Sequence, residues 1–170
     1  MRILSLFTNL LHFLPTEVSH TIGLYSLKVL YKLGLLKLIV KKPLIKSISS
    51  DTNSNNEFLS KFSNNLGVAA GLDKNGDFID PLASLGVGFI EIGTVTPRAQ
   101  KGNKKPRLFR DKKNFALFNR LGFNNKGVDY LIEKVKQRKS TIPLGISIGK
   151  NSDTPIDHAY KDYLYCLEKV

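Results

Sequence analysis

The sequence has little of what holds disulfide-rich or metal-binding folds together. Its 170 residues include one cysteine, Cys166, which excludes an internal disulfide and a cysteine-rich metal site. The three histidines lie far apart and lack the spacing of metal ligands; they are His12, His20 and His158. We therefore expect no bound metal, a reducing compartment, and one ordinary domain with a hydrophobic core.

Long apolar runs are also missing. A bilayer-spanning helix needs roughly 18 consecutive apolar residues, and the longest candidate, residues 33–40, is interrupted by Lys37. Arg2 precedes an apolar run at 3–14, as in a signal peptide, but no small-residue cleavage site follows that run. The sequence predicts neither a secretory leader nor a membrane-spanning helix.

Positive charge is plentiful and unevenly distributed. The formal net charge is +12. Residues 1–50 carry seven Lys and Arg against one acid, Glu17, and residues 98–120 carry nine against Asp111. Two basic patches on an otherwise balanced chain indicate local contacts with phosphates, lipid head groups or acidic ligands.

The first 40 residues have the periodicity of two short amphipathic helices. Residues 3–14 place apolar side chains one turn apart, and Pro15 ends this pattern so that Thr16 can cap a second helix. The apolar stripe of the second helix consists of Val18, Ile22, Tyr25, Val29 and Leu33. An anchor in a membrane interface and a helical hairpin packed on its own domain both fit this pattern. The lysines that follow favour the membrane surface.

After a polar stretch at 49–57, strands and helices alternate. Apolar strands are predicted at 66–70, 88–95 and 144–148. Helices are predicted from Asp80 as N-cap to Gly86, at 128–135, and from Pro155 through Val170. Continuous apolar strands separated by helices are typical of a parallel sheet covered by helices. About three such units are present, too few to close an eight-unit barrel.

Polar and small residues follow these strands. In 70–76, small residues allow a planar ligand to approach the backbone, and Lys74 can hold an anion or the polar edge of a ring. Thr94 ends the second strand with a hydroxyl. Three asparagines in 119–125 suit a ligand rich in donors and acceptors, such as a pyrimidine. A glycine turn with a solvated lysine, a strand-ending threonine, and a turn with a helix cap are the structural alternatives.

Together these segments resemble the quinone-linked (class 2) dihydroorotate dehydrogenase family. The matching stretches occur in family order and spacing; they are AAGLDKNG (69–76), IEIGTVTPR (90–98), GNKKPRLFR (102–110), NRLGFNNKGVD (119–129) and GISIGKNSDTP (145–155). The two N-terminal helices resemble the membrane-docking extension of that class.

The resemblance implies an α/β fold, the first part of an FMN-binding (β/α)8 TIM barrel that oxidises dihydroorotate to orotate with a membrane quinone. Implied FMN contacts are Ala70, Gly71, Leu72, Asp73, Lys74, Thr94 and Ser147. Ser147 stands where the family usually has asparagine, which puts its contact in doubt. Implied substrate contacts are Lys74, Asn119, Arg120, Leu121, Gly122 and Phe123. His20 and Arg110 correspond to the family's quinone tunnel between the docking helices and the barrel, and neither belongs to the strand-end motifs.

The family's serine base lies beyond Val170, so no catalytic residue is expected in this segment, and Cys166 is not a substitute. The implied organisation is a docking region at 1–48, a polar linker and short strand entry at 49–63, and the truncated barrel at 64–170. We expect a peripheral protein on the cytoplasmic side of the cell membrane, inactive without the missing half.

Two other functions remain open at this point. One is a non-catalytic remnant that binds membranes through its amphipathic helices. The other is a nucleic-acid binder that uses the basic stretch 98–120, where aromatic residues alternate with cations. Pro97, Gly102 and Pro106 instead favour an ordered, hairpin-like excursion, so no nucleic acid is expected.

Overall fold

The computed structural model of the chain describes residues 10–40 and 61–170. Its helices are α1 (Thr16–Lys32), α2 (Leu36–Ile39), α3 (Ile79–Ala83), α4 (Val128–Gln137) and α5 (Ala159–Lys169). Its strands are β1 (Gly67–Val68), β2 (Phe89–Val95), β3 (Leu108–Asp111), β4 (Ala116–Asn119) and β5 (Leu144–Ile148). A 3-10 turn at Ile156–His158 leads into α5.

A parallel sheet of three strands carries the fold, with β2 between β1 and β5. Every residue of β2 is buried or half-buried, and Ile90, Ile92 and Val95 are 0% exposed. Helix α4 adds Val128 and Leu131 to the same core. Burial on both sides explains the nearly continuous apolar sequence of β2. The predicted alternation of parallel strands and helices is confirmed.

Helix α1 packs on this core by one face and leaves another face open. Leu24 is buried in the core, and the rings of Tyr25 and Phe78 make an edge contact at a centroid distance of 5.3 Å. Lys28 Nζ donates to the Asp77 carbonyl oxygen at 2.9 Å. The predicted apolar stripe is largely exposed: its five members are each at least 37% exposed, and Tyr25 among them also contacts Phe78 at its edge. Within the described ranges, no helix is long and apolar enough to cross a membrane.

The basic stretch after β2 forms the predicted excursion. Strands β3 and β4 pair as an antiparallel hairpin, with Arg110 opposite Leu117 and Phe109 opposite Phe118. Because cross-strand partners share a face, Leu108, Arg110 and Leu117 lie on one side of the hairpin. Helix α1 contacts β3, so the hairpin packs beside α1.

Three local predictions were wrong. The first strand is shorter than predicted, because only Gly67 and Val68 pair with β2. Asp80 is not an N-cap: α3 begins at Ile79, and the Asp80 carboxylate accepts hydrogen bonds from the Lys139 and Ser140 amides. Its acceptors are thus committed to a distant loop rather than to its own helix.

Thr16 does not cap α1 either. Pro15 takes the cap position with φ −51° and ψ 139°, so Thr16 is the first helical residue and no side chain caps the helix. Most of the predicted helix at 3–14 and the polar stretch 49–57 lie outside the described residues. The boundaries at 48 and 63 therefore stay predictions.

Candidate functional site

Three adjoining cavities open on the side of the sheet where β1 and β2 end. The strand-end cavity, about 380 Å³, lies between the loop after β1 and the loop after β4. The helix cavity, about 710 Å³, lies between that first loop and α1. The hairpin cavity, about 640 Å³, lies between α1 and the β3–β4 hairpin. Neighbouring cavities share lining residues, so together they form one path from the sheet to the hairpin.

The strand-end cavity gathers most of the predicted binding residues. Four of the implied cofactor contacts line it: Ala70, Gly71, Lys74 and Thr94. Every implied substrate contact lines it as well: Lys74, Asn119, Arg120, Leu121, Gly122 and Phe123. The carboxyl ends of parallel strands meet at one edge of a sheet, and this topology brings together loops that are far apart in sequence.

Lys74 is the cation of this cavity. Its Nζ donates to the Gly71 carbonyl oxygen at 2.8 Å, which fixes the ammonium over its own loop. Burial lowers the pKa of Lys74, and the nearby Arg107 acts in the same direction, whereas Glu17 and Asp73 raise it. A half-buried ammonium with spare donors can bind a carboxylate or the polar edge of a ring.

Two glycines allow close approach to the cavity. Gly71 has φ +102°, and a Cβ placed there would meet nothing within 4 Å, so its backbone faces open space. Its amide donates to the Gly93 carbonyl oxygen at 2.7 Å and ties the loop to β2. Gly122 has φ +69°, and a Cβ there would lie 2.9 Å from the Asn103 amide nitrogen. Side chains at these positions would strain the backbone or displace Asn103.

Three predicted cofactor residues lie outside the strand-end cavity. The Asp73 carboxylate accepts from the Asp77 and Phe78 amides at 3.0 and 2.7 Å, and burial raises its pKa. Ser147 Oγ is 2.9 Å from Thr94 Oγ1. Leu72 lines the helix cavity. Asp73 therefore supports the loop, and Ser147 positions the Thr94 hydroxyl from the neighbouring strand.

Two of the three asparagines in 119–125 line the cavities, and the third joins the loops beneath them. Asn119 lines both the strand-end and helix cavities. Asn124 lines the helix cavity, and its buried Oδ1 has no hydrogen-bond partner among the described residues. Asn125 instead joins loops, because its Nδ2 donates to Thr96 Oγ1 at 2.8 Å and its Oδ1 accepts from the Gly127 amide at 2.8 Å. Asn119 and Asn124 remain available to a ligand.

His20 connects two of the cavities. Its Nε2 lies 3.0 Å from the Leu72 carbonyl oxygen, and the ring lines both the helix and hairpin cavities. Burial lowers the pKa of His20, and the positive charge of Lys74 lowers it further, against the Leu72 hydrogen bond and Glu17. Helix α1 thus packs directly on the loop after β1 and brings His20 to it.

Arg110 lines the hairpin cavity together with His20. Its guanidinium donates to the His12 carbonyl oxygen at 3.0 Å, which links the hairpin to the segment before α1. The structure therefore brings both predicted quinone-site residues to one cavity, although they are 90 positions apart in sequence. Arg110 does not line the strand-end cavity, as predicted.

Sequence reasoning missed the ion pair that holds α1 against the hairpin. Arg107 Nη2 lies 2.6 Å from Glu17 Oε1, with the Arg107 side chain 8% exposed. Arg107 Nη1 also donates to the Lys101 and Asn103 carbonyl oxygens. Hydrogen bonding from Arg107 lowers the pKa of Glu17. The available signal was that Glu17 is the one acid in residues 1–50.

No metal site accompanies these cavities in residues 10–40 and 61–170, where no group of three or more His, Cys, Asp or Glu could hold an ion. Cys166 is buried in the core, where burial raises the pKa of its thiol to about 11. A thiol that stays protonated in the core is a packing residue rather than a nucleophile or base.

Comparisons with known proteins identify relatives of this chain. A "Dihydroorotate dehydrogenase (quinone)" of Acinetobacter baylyi is 49% identical over 166 residues, which cover 98% of this chain and 47% of the relative. One from Psychrobacter arcticus is 64% identical over 110 residues, or 65% of this chain and 32% of the relative. The chain spans about half the length of the relatives that it matches over almost all of its own length.

Solved structures and a family model agree as well. A crystal structure of DHODH from Eimeria tenella in complex with ferulenol matches with a TM-score of 0.68 and 31% identity, covering 91% of this chain and 40% of that one. The parallel sheet thus fits part of the fold of that larger protein. The family model described as dihydroorotate dehydrogenase matches residues 54–170. The chain therefore belongs to the dihydroorotate dehydrogenase family.

Proposed function

We propose that the chain forms the N-terminal half of a quinone-dependent dihydroorotate dehydrogenase, which oxidises dihydroorotate to orotate in pyrimidine synthesis with FMN and a membrane quinone. The observation that carries this proposal is the continuity of the three cavities. Lys74 lies at the strand-end cavity, Arg110 at the hairpin cavity, and His20 lines the space between them. Such a path suits two half-reactions that share one cofactor.

The residues at the strand ends fit FMN. Gly71 leaves open space where a side chain would block a planar ring. Thr94 offers a hydroxyl positioned by Ser147, and Lys74 offers a buried cation. The unpaired Oδ1 of Asn124 provides an acceptor near the same loops. When bound, FMN supplies two-electron redox chemistry.

The chain's own contribution is to bind and orient. Lys74 Nζ is placed to pair with the carboxylate of dihydroorotate, and the amide of Asn119 is placed to donate to and accept from the pyrimidine ring. The loop Leu121–Phe123 closes the other side of the cavity. By the resemblance, the serine that removes the proton belongs to the half of the relatives that this chain does not span.

The hairpin cavity is the proposed quinone site. His20 and the Arg110 guanidinium both line it. The Nε2–H of His20 is engaged with the Leu72 carbonyl oxygen, so Arg110 is the proposed donor to a quinone oxygen. Leu11, Leu108 and Leu117 supply apolar walls. A pocket with apolar walls and a guanidinium donor is suited to a lipophilic molecule with carbonyl groups.

Peripheral contact with the cytoplasmic side of the cell membrane is part of the proposal. The exposed stripe of α1 gives the helix an apolar face that the core does not cover. Lysines on and after α1 provide attraction to anionic lipid, each contributing about 1 kcal/mol near the surface. An exposed apolar face with flanking cations is the pattern of an interfacial helix.

The contacts of the basic stretch argue for this assignment over a nucleic-acid platform. The four arginines of 98–120 each bind a partner within the chain: Arg98 binds Asp153, Arg107 binds Glu17, Arg110 binds His12 and Arg120 binds Pro106. Their side chains therefore organise the excursion. A surface that binds nucleic acid would instead need such cations free to contact phosphates.

The test is a chimera in which residues 1–170 are joined to the C-terminal half of the Acinetobacter baylyi relative. We expect the chimera to bind FMN and to reduce quinone with dihydroorotate, and the 170-residue chain alone to show no turnover, because the proton-removing group is absent. Lys74→Ala should abolish turnover by the chimera.

A folded, flavin-loaded chimera without activity would contradict the proposal and favour the non-catalytic remnant. Lys136→Ala serves as the matched control, because Lys136 belongs to the exposed surface of α4. Turnover by the isolated chain that is lost on Lys74→Ala would refute the assignment of the missing parts.

A further inference from the structure

The β3–β4 turn presents an unusual side chain to solvent. We propose that this hairpin tip, residues 111–115, is a second membrane contact: Phe115 inserts between lipids while Lys112 and Lys113 bind the head groups of anionic phospholipids. The inference rests on the proposed membrane association of the chain and extends it beyond the N-terminal helices.

The turn is built to hold Phe115 outward. The Asp111 carboxylate accepts from the Lys113 and Asn114 amides at 2.9 and 3.1 Å, and Asn114 Nδ2 donates to it at 2.8 Å. Phe115 follows with φ +51° and a 98% exposed side chain. A bulky residue rarely adopts this backbone conformation. An ordered turn therefore displays a phenyl ring in water, which is costly unless something apolar covers it.

The tip adjoins the exposed apolar residues of the N-terminal segment. Arg110 ties the hairpin to the His12 carbonyl oxygen at 3.0 Å. On the other side of that link, Leu10 and Phe13 are 66% and 83% exposed. Phe115 thus lies at the same cavity as Leu11 and His12 of the segment proposed to dock.

Access to the hairpin cavity gives a reason for the hairpin tip to face lipid. Lys112 and Phe115 line that cavity opposite Leu11 and His12. A quinone dissolved in the bilayer would have to enter between these two sides, so both sides must meet the membrane. If only the N-terminal segment touched the membrane, the hairpin side of the cavity entrance would stay open to water.

Charge identifies the surface as anionic. Lys112 and Lys113 are both exposed, whereas the carboxylate of Asp111 is occupied by the turn itself. Two cations flanking an exposed aromatic ring suit a surface of lipid phosphates, with the ring below the head groups and the ammonium groups among them.

The absence of tryptophan from the sequence allows a direct test. Three single-tryptophan variants of the full chain report on separate places: Phe115→Trp at the tip, Phe13→Trp in the N-terminal segment, and Tyr160→Trp on α5 as an exposed control. Each is mixed with phosphatidylcholine vesicles, with or without phosphatidylglycerol, that contain lipids brominated along the acyl chain. We expect tryptophans 115 and 13 to shift to the blue and be quenched, and tryptophan 160 to remain unchanged.

The possible outcomes distinguish a failure of the hairpin-tip inference from a failure of the proposed membrane association. Quenching at position 13 without quenching at 115 overturns the inference and leaves the docking of the N-terminal segment intact. Absence of quenching at 13 contradicts the proposed membrane association itself. Equal quenching at 160 would show unspecific adsorption and overturn the assignment of the tip.

Charge reversal gives a second measurement. Lys112→Glu with Lys113→Glu should weaken binding to phosphatidylglycerol vesicles by about tenfold or more and leave binding to pure phosphatidylcholine nearly unchanged. Lys161→Glu, on the exposed surface of α5, is the matched control and should change little. Equal losses for the tip and control variants would overturn the role of the two lysines.

Discussion

The Nε2 atom of His20 lies 3.0 Å from the carbonyl oxygen of Leu72, so a side chain of α1 ends on the loop that follows β1. A carbonyl oxygen can only accept a hydrogen bond, so Nε2 must be the donor. In the neutral ring, Nδ1 then carries the lone pair. The residue that we assign to the quinone site is thereby in contact with the loop that we assign to the flavin. A single hydrogen bond, from His20 to Leu72, therefore joins the proposed quinone site to the proposed flavin site.

The first prediction concerns the titration of His20. Its pKa should lie below the ordinary value of 6.5, because burial disfavours the imidazolium and the Lys74 ammonium repels it. NMR titration of the ring in the labelled chain measures this directly. Lys74→Met should move the midpoint upward by removing the repulsion. A midpoint at or above 6.5 would contradict the described burial of the ring.

The lowered pKa of His20 also makes the stability of the fold depend on pH. The pKa of His20 is lower in the folded than in the unfolded chain, so the unfolded chain binds more protons between the two values. Stability from the neutral ring is therefore complete above about pH 6.5 and is lost as pH falls from there through the folded pKa. Urea unfolding across this window should show a smaller dependence on pH in His20→Gln.

The second prediction separates the two half-reactions in the chimera. Arg110→Ala should slow flavin reoxidation by quinone about ten- to a hundredfold, the effect of one lost charge-assisted hydrogen bond. Reduction of the flavin by dihydroorotate should stay near the unmutated rate, because Arg110 does not line the strand-end cavity.

Lys74→Ala should have the opposite effect, with slow reduction or lost flavin. Stopped-flow absorbance with each substrate separately distinguishes the two variants. Impaired reduction with normal reoxidation in Arg110→Ala would mean that the two sites are not divided as proposed.

The third prediction tests the ion pair between α1 and the hairpin. Glu17→Gln should lower the free energy of unfolding by about 1–3 kcal/mol, because the buried Arg107 guanidinium loses its charged partner. Lys105→Gln is the control: Lys105 lies 3.6 Å from Glu17, but its side chain is 70% exposed, and such a pair contributes about 0–1 kcal/mol.

This pair also has a pH dependence. Because Arg107 lowers the pKa of Glu17 below 4.5, its stabilisation is present above that pH and is lost as pH falls through the folded value. Denaturation at neutral and acid pH should therefore show a difference between wild type and Glu17→Gln that shrinks in acid. A constant difference would exclude the ion pair as its source.

The fourth prediction concerns the support beneath the site. Asn125→Ala should destabilise the chain by about 1–3 kcal/mol, since it leaves the buried Thr96 hydroxyl and the Gly127 amide without this partner. Asn114→Ala, in the exposed turn, should have a much smaller effect. Thermal unfolding of both variants supplies the comparison, and equal losses would argue against a buried network.

The sequence predicted what depends on local composition. Strands β2 and β5 could be predicted because strands covered on both sides require apolar runs. The meeting of the strand-end loops could be predicted because the carboxyl ends of parallel strands lie at one edge of a sheet. Asp80 misled the prediction because its carboxylate binds the amides of residues 139 and 140. A capping pattern describes a local preference, and a distant donor can override it.

The contacts of α1 could not be predicted in the same way. Arg107 is one of nine cations in 98–120, and nothing in its immediate neighbours distinguishes the one that is buried. The position of His20 depends on which face of α1 packs, and the helix has apolar residues on both its packed and its exposed faces. Only the tertiary arrangement decides between them.

The pair of Glu17 and Arg107 spans 90 positions, and this has a consequence for the order of events during synthesis. Helix α1, with its 17 residues, leaves the ribosome long before its partner is made, and helices in proteins draw most of their stability from tertiary packing. Closing so long a loop requires the intervening strands to be in place. The path between the two half-sites is therefore completed late, and until the hairpin emerges α1 lacks the ion pair that ties it to the excursion.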